Sequence, residues 1–275
     1  MSEKNALIGL RSRNLGIKHD FYNYMKDIIK EKLDGIESNN GVKVLFACES
    51  GSRAWGFASP DSDYDVRFVY AQPRDHYLSI RERKDVIELP VNAVLDISGW
   101  DCRKALQLFL KSNAPLYEWL QSPIVYNEKS GFAAELRGLM ATYFSLRAGG
   151  HHYLSMARNT FENDLQGDEV KLKKYFYALR PALACLWIVE KGSVPPMEFA
   201  VLRALVGDPT WNAMVDELLE KKKGADEKAL ITTIPELQGW IAKMLEFCKE
   251  KTDLLQPVKH DTEQLDELFR KYISQ

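Results

Sequence analysis

ACESGSRAWGFASPDSDYDVRFVY, residues 47–70, carries the end of one strand, a Gly-Ser turn, and then two aspartates spaced by one residue on a second strand. In an extended strand successive side chains alternate faces, so Asp63, Asp65 and Arg67 point to one side while Tyr64, Val66, Phe68 and Tyr70 point to the other. One face is polar and the other packs. Two carboxylates at i and i+2 lie roughly 6–7 Å apart at Cα, close enough to converge on a shared pair of divalent cations. A two-metal site holds its ions about 3.5–4 Å apart and clamps the attacking and leaving oxygens of a phosphoryl displacement. Magnesium suits such a site, because it prefers oxygen ligands and bridges one or two carboxylates to substrate phosphates.

Upstream, VKVLFACE (residues 42–49) is a β-branched, apolar run of strand type, and Ser50-Gly51-Ser52 interrupts it before a segment able to begin a short helix. Backbone N–H groups at a helix start point at anions. Gly51 lets a phosphate approach the backbone, Ser52 adds a hydroxyl, and Arg53 offers a fork for phosphate oxygens. A bland alternative treats DSDYD as a calcium loop. It fails on spacing, because counting from Asp61 places Val66 where the loop needs glycine and Gln72 where it needs glutamate. Asp61 belongs instead to a turn with Ser59-Pro60.

Downstream, Val91–Ile97 reads as a short strand ahead of Ser98, a candidate N-cap for the next helix, with Leu95 and Ile97 facing the core if Asp96 faces the site. Glu88 stands on the preceding apolar run, residues 86–89.

Gly51-Ser52 followed by Asp63-x-Asp65 resembles the signature of the polymerase-β-like nucleotidyltransferase superfamily. The fuller string GSRAWGFASPDSDYDVR is similar to its bacterial and phage branch associated with RNA repair. The likeness continues through SGWDCRKALQLFLKSNAPLYEWLQSPIVY and KKYFYALRPALACLWI. The resemblance implies a third carboxylate on a neighbouring strand, with Asp96 the first candidate and Glu88 its rival. It also implies metal ions (two of magnesium, manganese as the alternative) held by Asp63, Asp65 and Asp96. The implied reaction moves a nucleoside monophosphate from an NTP to an acceptor hydroxyl, with pyrophosphate released and Asp96 activating the acceptor. An RNA end is the implied acceptor; a small hydroxyl compound or a protein side chain is the alternative, as is a nucleotide-binding regulator without catalysis. Because the helical half of such proteins closes over the nucleotide, Lys174 and His152 become candidates for contact with it, beside Lys173, Tyr175, His151 and Tyr153.

The remaining composition bounds these readings. In 275 residues, 37 Lys and Arg against 39 Asp and Glu give a formal charge of −2, which disfavours coating of long nucleic acids and allows grip on a single end. No apolar run reaches the ~18–20 residues of a membrane helix, and MSEKNALIGLRSRN lacks the apolar core of a signal peptide, so a cytoplasmic location is expected. Cys48, Cys102, Cys185 and Cys248 are far apart and read as reduced structural thiols, with Cys48 near enough to the site to react incidentally. Basic clusters occur at Arg74, Arg81, Arg83 and Lys84 and again at Lys171, Lys173, Lys174 and Arg180; solvated faces are their ordinary explanation.

Along the chain, residues 18–36 show helical spacing of Phe21, Tyr24, Met25, Ile28, Ile29 and Leu33, with Asp34-Gly35 as an end. Strands at 42–49, 64–71 and between 84 and 97 follow, and beyond Ser98 strand signals almost cease. Helices are expected around Leu106, from Pro115, over 131–147, and then over 209–223, 235–255 and 261–273, with Gly149-Gly150 as the clearest break and Val194-Pro195-Pro196 as a turn. Trp187, Trp211 and Trp240 read as core. The expected class is α+β: a small mixed sheet with helices on one face over residues 1–128, then an all-α bundle over 129–275 that covers the substrate.

Overall fold

The computed structural model describes residues 15–274 apart from 82, 92, 93, 225 and 227. The expectation for residues 1–14, the side chain of Phe21, and positions 92 and 93 of the expected strand lie outside what is described. Helix α1 (Leu15–Asn40) runs past Asp34-Gly35, the end expected for it. Ile36 gives the extra turn a buried anchor, the Ser38 hydroxyl and the Asn40 amide donate to the carbonyls of Asp34 and Ile36, and Gly41 at φ +62° makes the actual stop. Tyr24, assigned to the apolar face, is instead half exposed.

Five strands follow: β1 (Lys43–Glu49), β2 (Tyr64–Ala71), β3 (Val86–Glu88), β4 (Leu95–Asp101) and β5 (Val125–Asn127), ordered β3-β4-β2-β1-β5. β2 and β4 are parallel and the other pairs antiparallel. Tyr64, Val66, Phe68 and Tyr70 pack with Met25, Ile29, Leu33 and Ile36 of α1 on one face. On the other face Leu45, Cys48, Val69 and Ala71 belong to a larger core shared with the later helices. The class is α+β as expected, with helices on both faces of the sheet.

Ser98 is not the cap expected of it. β4 continues to Asp101, whose carboxylate accepts from the Arg103 N–H and opens α4 (Cys102–Leu110). Gly99 is what permits the extension: a Cβ there would lie 2.4 Å from the Phe68 ring. Asn113 caps α5 (Ala114–Leu120), with Pro115 in its first turn as expected. β5 and a small pair, β6 (Glu169–Lys171) and β7 (Leu230–Thr232), correct the expectation that strands cease beyond Ser98.

Helix α6 (Phe132–Tyr143) stops short of residue 147, and Ser145 caps a new helix, α7 (Leu146–Asp164). Gly149-Gly150, expected to break the chain, lies inside α7. Cβ atoms there would come within 2.3 Å of the Phe144 ring and 2.8 Å of Thr252, so these glycines admit close packing. α8 (Leu172–Lys191) follows, with Pro181 inside it, and α9 (Phe199–Arg203), α10 (Pro209–Gly224), α11 (Pro235–Leu254) and α12 (Glu263–Ile273) complete the order. Trp211 is buried and packs on Trp240, and Trp187 borders the core.

Candidate active site

The Gly-Ser turn and the aspartate strand are sewn together by main chain. The Ser50 N–H donates to the Asp65 carbonyl (2.8 Å), and the Asp65 N–H donates to Glu49 Oε1 (2.8 Å). Gly51 opens the one-turn helix α2 (Gly51–Trp55) at φ +62°, and an added Cβ would sit 2.0 Å from Asp65 Oδ2. Glycine is therefore required twice over, by the left-handed backbone and by the carboxylate against it. Gly51 and Ser52 are both buried.

Parallel pairing places Asp65 directly opposite Asp96. Arg67, two residues along β2 on the same face, joins them: its Nη2 lies 2.7 Å from Asp96 Oδ2 and 3.4 Å from Asp65 Oδ1. Both carboxylates keep 31% side-chain exposure, against 18% for Arg67. Glu88, the rival third acid, sits on β3, on the far side of β4 from Asp65.

Asp63 precedes β2 and is exposed. Its carbonyl accepts from Arg53 Nε (3.0 Å), while Arg53 Nη2 donates to the Ser62 carbonyl (2.7 Å) and the guanidinium stacks over Tyr64 (3.9 Å). Arg53, expected as a phosphate fork, spends two of its donors, one of them Nε, on the backbone leading to Asp63. Among the described residues no three of His, Cys, Asp or Glu converge closely enough to hold one metal ion. The structure thus brings Asp65 and Asp96 together on a guanidinium and does not close a three-acid clasp. The donor set nevertheless fits a hard cation: oxygen ligands, partly exposed, with a positive group already between them.

Glu49 was not anticipated. It is wholly buried, accepts from the Asp65 N–H and from the Tyr126 hydroxyl, and burial pushes its carboxyl up to about 7. A lone acid closing an apolar strand was its only signal. Cys48, expected to react incidentally, is fully buried, and desolvation raises its thiol far above the ordinary range. All four cysteines are buried and free.

A second cluster ties the turn to the helical half. Glu118 of α5 accepts from Trp55 Nε1 (3.1 Å) and from the Tyr153 hydroxyl (2.8 Å), and it pairs with Arg180 of α8 at 2.9 Å. Arg180 also lies over the Trp55 ring (4.4 Å) and donates to the Met197 carbonyl (3.1 Å). His152 is half-buried beside this cluster, and burial lowers its pKa against the opposing charge of Glu118. Lys174 pairs with Asp164 at 2.8 Å. Tyr175 is buried, its hydroxyl accepting from the Ile234 N–H, so it cannot stack on a base. Tyr177 is the partly exposed aromatic near the turn, edge-on to Trp55 at 5.6 Å.

Acids on neighbouring parallel strands stand against a turn that only glycine can make, and the chain is an enzyme of the nucleotidyltransferase class. It belongs to the RlaP family, described as the RNA repair pathway DNA polymerase beta family, whose profile matches residues 25–271. It is 48% identical over 247 residues to YcgL, an uncharacterized protein of Bacillus subtilis (strain 168), a match spanning 89% of this chain and 95% of that protein. A nucleotidyltransferase-like protein from Exiguobacterium sibiricum 255-15, known by crystal structure, aligns over 82% of this chain and 74% of its own, at 16% identity and a TM-score of 0.31. The reading of the site therefore rests on this chain's own geometry.

Proposed function

We propose that the protein transfers a nucleoside monophosphate from an NTP to the hydroxyl of an RNA end, releasing pyrophosphate, in the cytoplasm. The observation that carries this reading is the register of Asp65 against Asp96 beside Gly51. Magnesium ions, or manganese in their place, held by Asp63, Asp65 and Asp96 would neutralise triphosphate charge and orient the attacking and leaving oxygens.

The chain's own residues do the rest. Glu49 and Ser50 fix the Asp65 backbone, and Arg53 fixes that of Asp63. Backbone N–H groups at Gly51-Ser52 and the Ser52 hydroxyl receive the triphosphate once the corner opens, since both residues are buried now. Arg67 releases the two carboxylates as the substrate complex assembles, and its charge then faces the phosphates. Asp96 accepts the acceptor's proton. In the helical half, Tyr177 offers a stacking face, Lys174 reaches the nucleotide only if it leaves Asp164, and His152 is the further candidate for contact. Residues 1–128 form the transferase portion and 129–275 the covering portion, with β5 the last strand of the large sheet just before that division.

No membrane-crossing helix occurs among the described residues. The test is labelled NTP with divalent metal and, in parallel, RNA, protein or small cell metabolites. Label entering RNA and lost in Asp63→Ala is expected. Label confined to protein or metabolites defeats the RNA acceptor, and absence of pyrophosphate release in every arm defeats transfer altogether.

A further inference from the structure

The two ends of the β2–β4 pair differ in charge. Asp65 and Asp96 stand at the start; five residues along β4, about 16 Å at strand rise, Asp101 opens onto a different surface. There a cavity of about 340 Å³ lies between the segment after α3 (Arg74–Tyr77) and the first turn of α4. Among the described residues its lining holds Arg81, Arg83, Lys84, Arg103 and Lys104 against the acids Asp85 and Asp101.

Neither acid is available to neutralise the excess. Asp101 is buried, with one oxygen accepting from the Arg103 N–H (2.8 Å) and the other from the Tyr77 hydroxyl (2.8 Å). Asp85 pairs with Lys104 at 3.0 Å. Arg103 is anchored by its own stacking, over Tyr77 at 4.9 Å and Phe269 at 5.1 Å. Arg83 donates to His76 Nδ1 (3.3 Å), a contact that favours the neutral imidazole. Arg81, Arg83 and Lys84 are exposed, and none has a carboxylate partner among the described residues. Glu82, between them in sequence, lies outside the described residues; even counting it, three exposed cations within four residues beside two anchored ones leave an excess of positive charge in a chain of net charge −2.

We infer that this cavity binds the phosphodiester backbone of the RNA strand whose end is presented to Asp65 and Asp96. The inference rests on the RNA-acceptor reading and gives it a second point of attachment. Guanidinium forks match phosphate oxygens in pairs, and the neutral ring of His76 adds a flat face for a base or sugar. Asp101 and Asp96 share β4, so both points are fixed to one rigid element and the strand end is positioned as well as held.

The test is fluorescence anisotropy of a short labelled single-stranded RNA with the full chain across a salt series. The variant is Arg81→Gln, Arg83→Gln, Lys84→Gln combined; the control is Lys221→Gln, Lys223→Gln, Lys249→Gln, equal in charge change and exposed elsewhere. The cavity variant is expected to lose about tenfold or more in affinity, with a salt slope shallower by about 2–3, while the control stays near wild type. Equal loss in both variants, no loss in either, or no RNA binding by the wild type overturns the inference, as does polyglutamate competing as tightly as RNA. Wild-type RNA binding that depends on the three residues without nucleotide transfer to RNA defeats the acceptor reading and leaves the RNA site standing. Undiminished transfer to RNA at limiting concentration in the cavity variant does the reverse.

Discussion

Two arginine–carboxylate clusters flank the glycine-serine turn, and they are built on opposite plans. Arg67 holds Asp65 and Asp96 with both acids about a third exposed, at unequal distances of 3.4 and 2.7 Å. Arg180 holds Glu118 with side-chain exposures of 2% and 5%, and Trp55 and Tyr153 satisfy that carboxylate further. In the wet cluster water can replace any partner, so exchanging one contact for another costs little. In the dry cluster no replacement exists, and each charge depends on the other. The same residue types thus form an open, exchangeable cluster in one place and a sealed scaffold in the other, and solvent access separates the two.

The largest effect should come from the dry cluster. Glu118→Ala leaves Arg180 buried without its counter-charge and should cost about 3–5 kcal/mol in urea unfolding. Replacing both residues by apolar side chains of similar volume should recover much of that loss; a double variant as unstable as the single would break the proposed distinction. Next, Asp65→Asn and Asp96→Asn should leave stability within about 1 kcal/mol. If the proposed chemistry holds, each should still lower nucleotide transfer by at least about a hundredfold, equivalent to about 2.7 kcal/mol at the transition state. Retained transfer, with loss of stability instead, would make the wet cluster a scaffold too.

Why sequence disclosed one cluster and not the other follows from range. Asp65 and Arg67 lie on a single strand with Asp63 just ahead of it, so alternation alone puts Asp65 and Arg67 on one face, and Asp96 could be found because the family resemblance implies a third acid on a neighbouring strand. Glu118 and Arg180 stand on different helices, α5 and α8, and neither periodicity nor spacing says that a buried arginine beside Pro181 meets a buried glutamate. Local signals also misled where packing outweighed them. Gly149-Gly150 carries the signature of a break, but the contacts that would be violated belong to Phe144 and to Thr252 on α11, which the pattern around residue 149 does not contain. Gly149→Ala should therefore overpack the α7 interior and cost about 1–3 kcal/mol, although alanine is the better helix former. A gain in melting temperature would restore the reading of these glycines as conformational.

The smallest expected effect concerns His152, whose ring lies at the border between wet and dry. Burial lowers its pKa in the fold while Glu118 pulls the other way, so the unfolded chain binds the proton more readily. The contribution is complete above the unfolded value, ~6.5, and is lost as pH falls below it. Unfolding free energy measured from about pH 8 down to 5 should decline slightly through this residue, and His152→Gln should remove that part of the slope. The Glu118→Ala background sharpens the test: without the opposing carboxylate, burial acts alone and the His152-dependent slope should steepen. A slope that flattens in that background would mean that Glu118 opposes the neutral ring less than the geometry requires, and that the dry cluster ends at Tyr153.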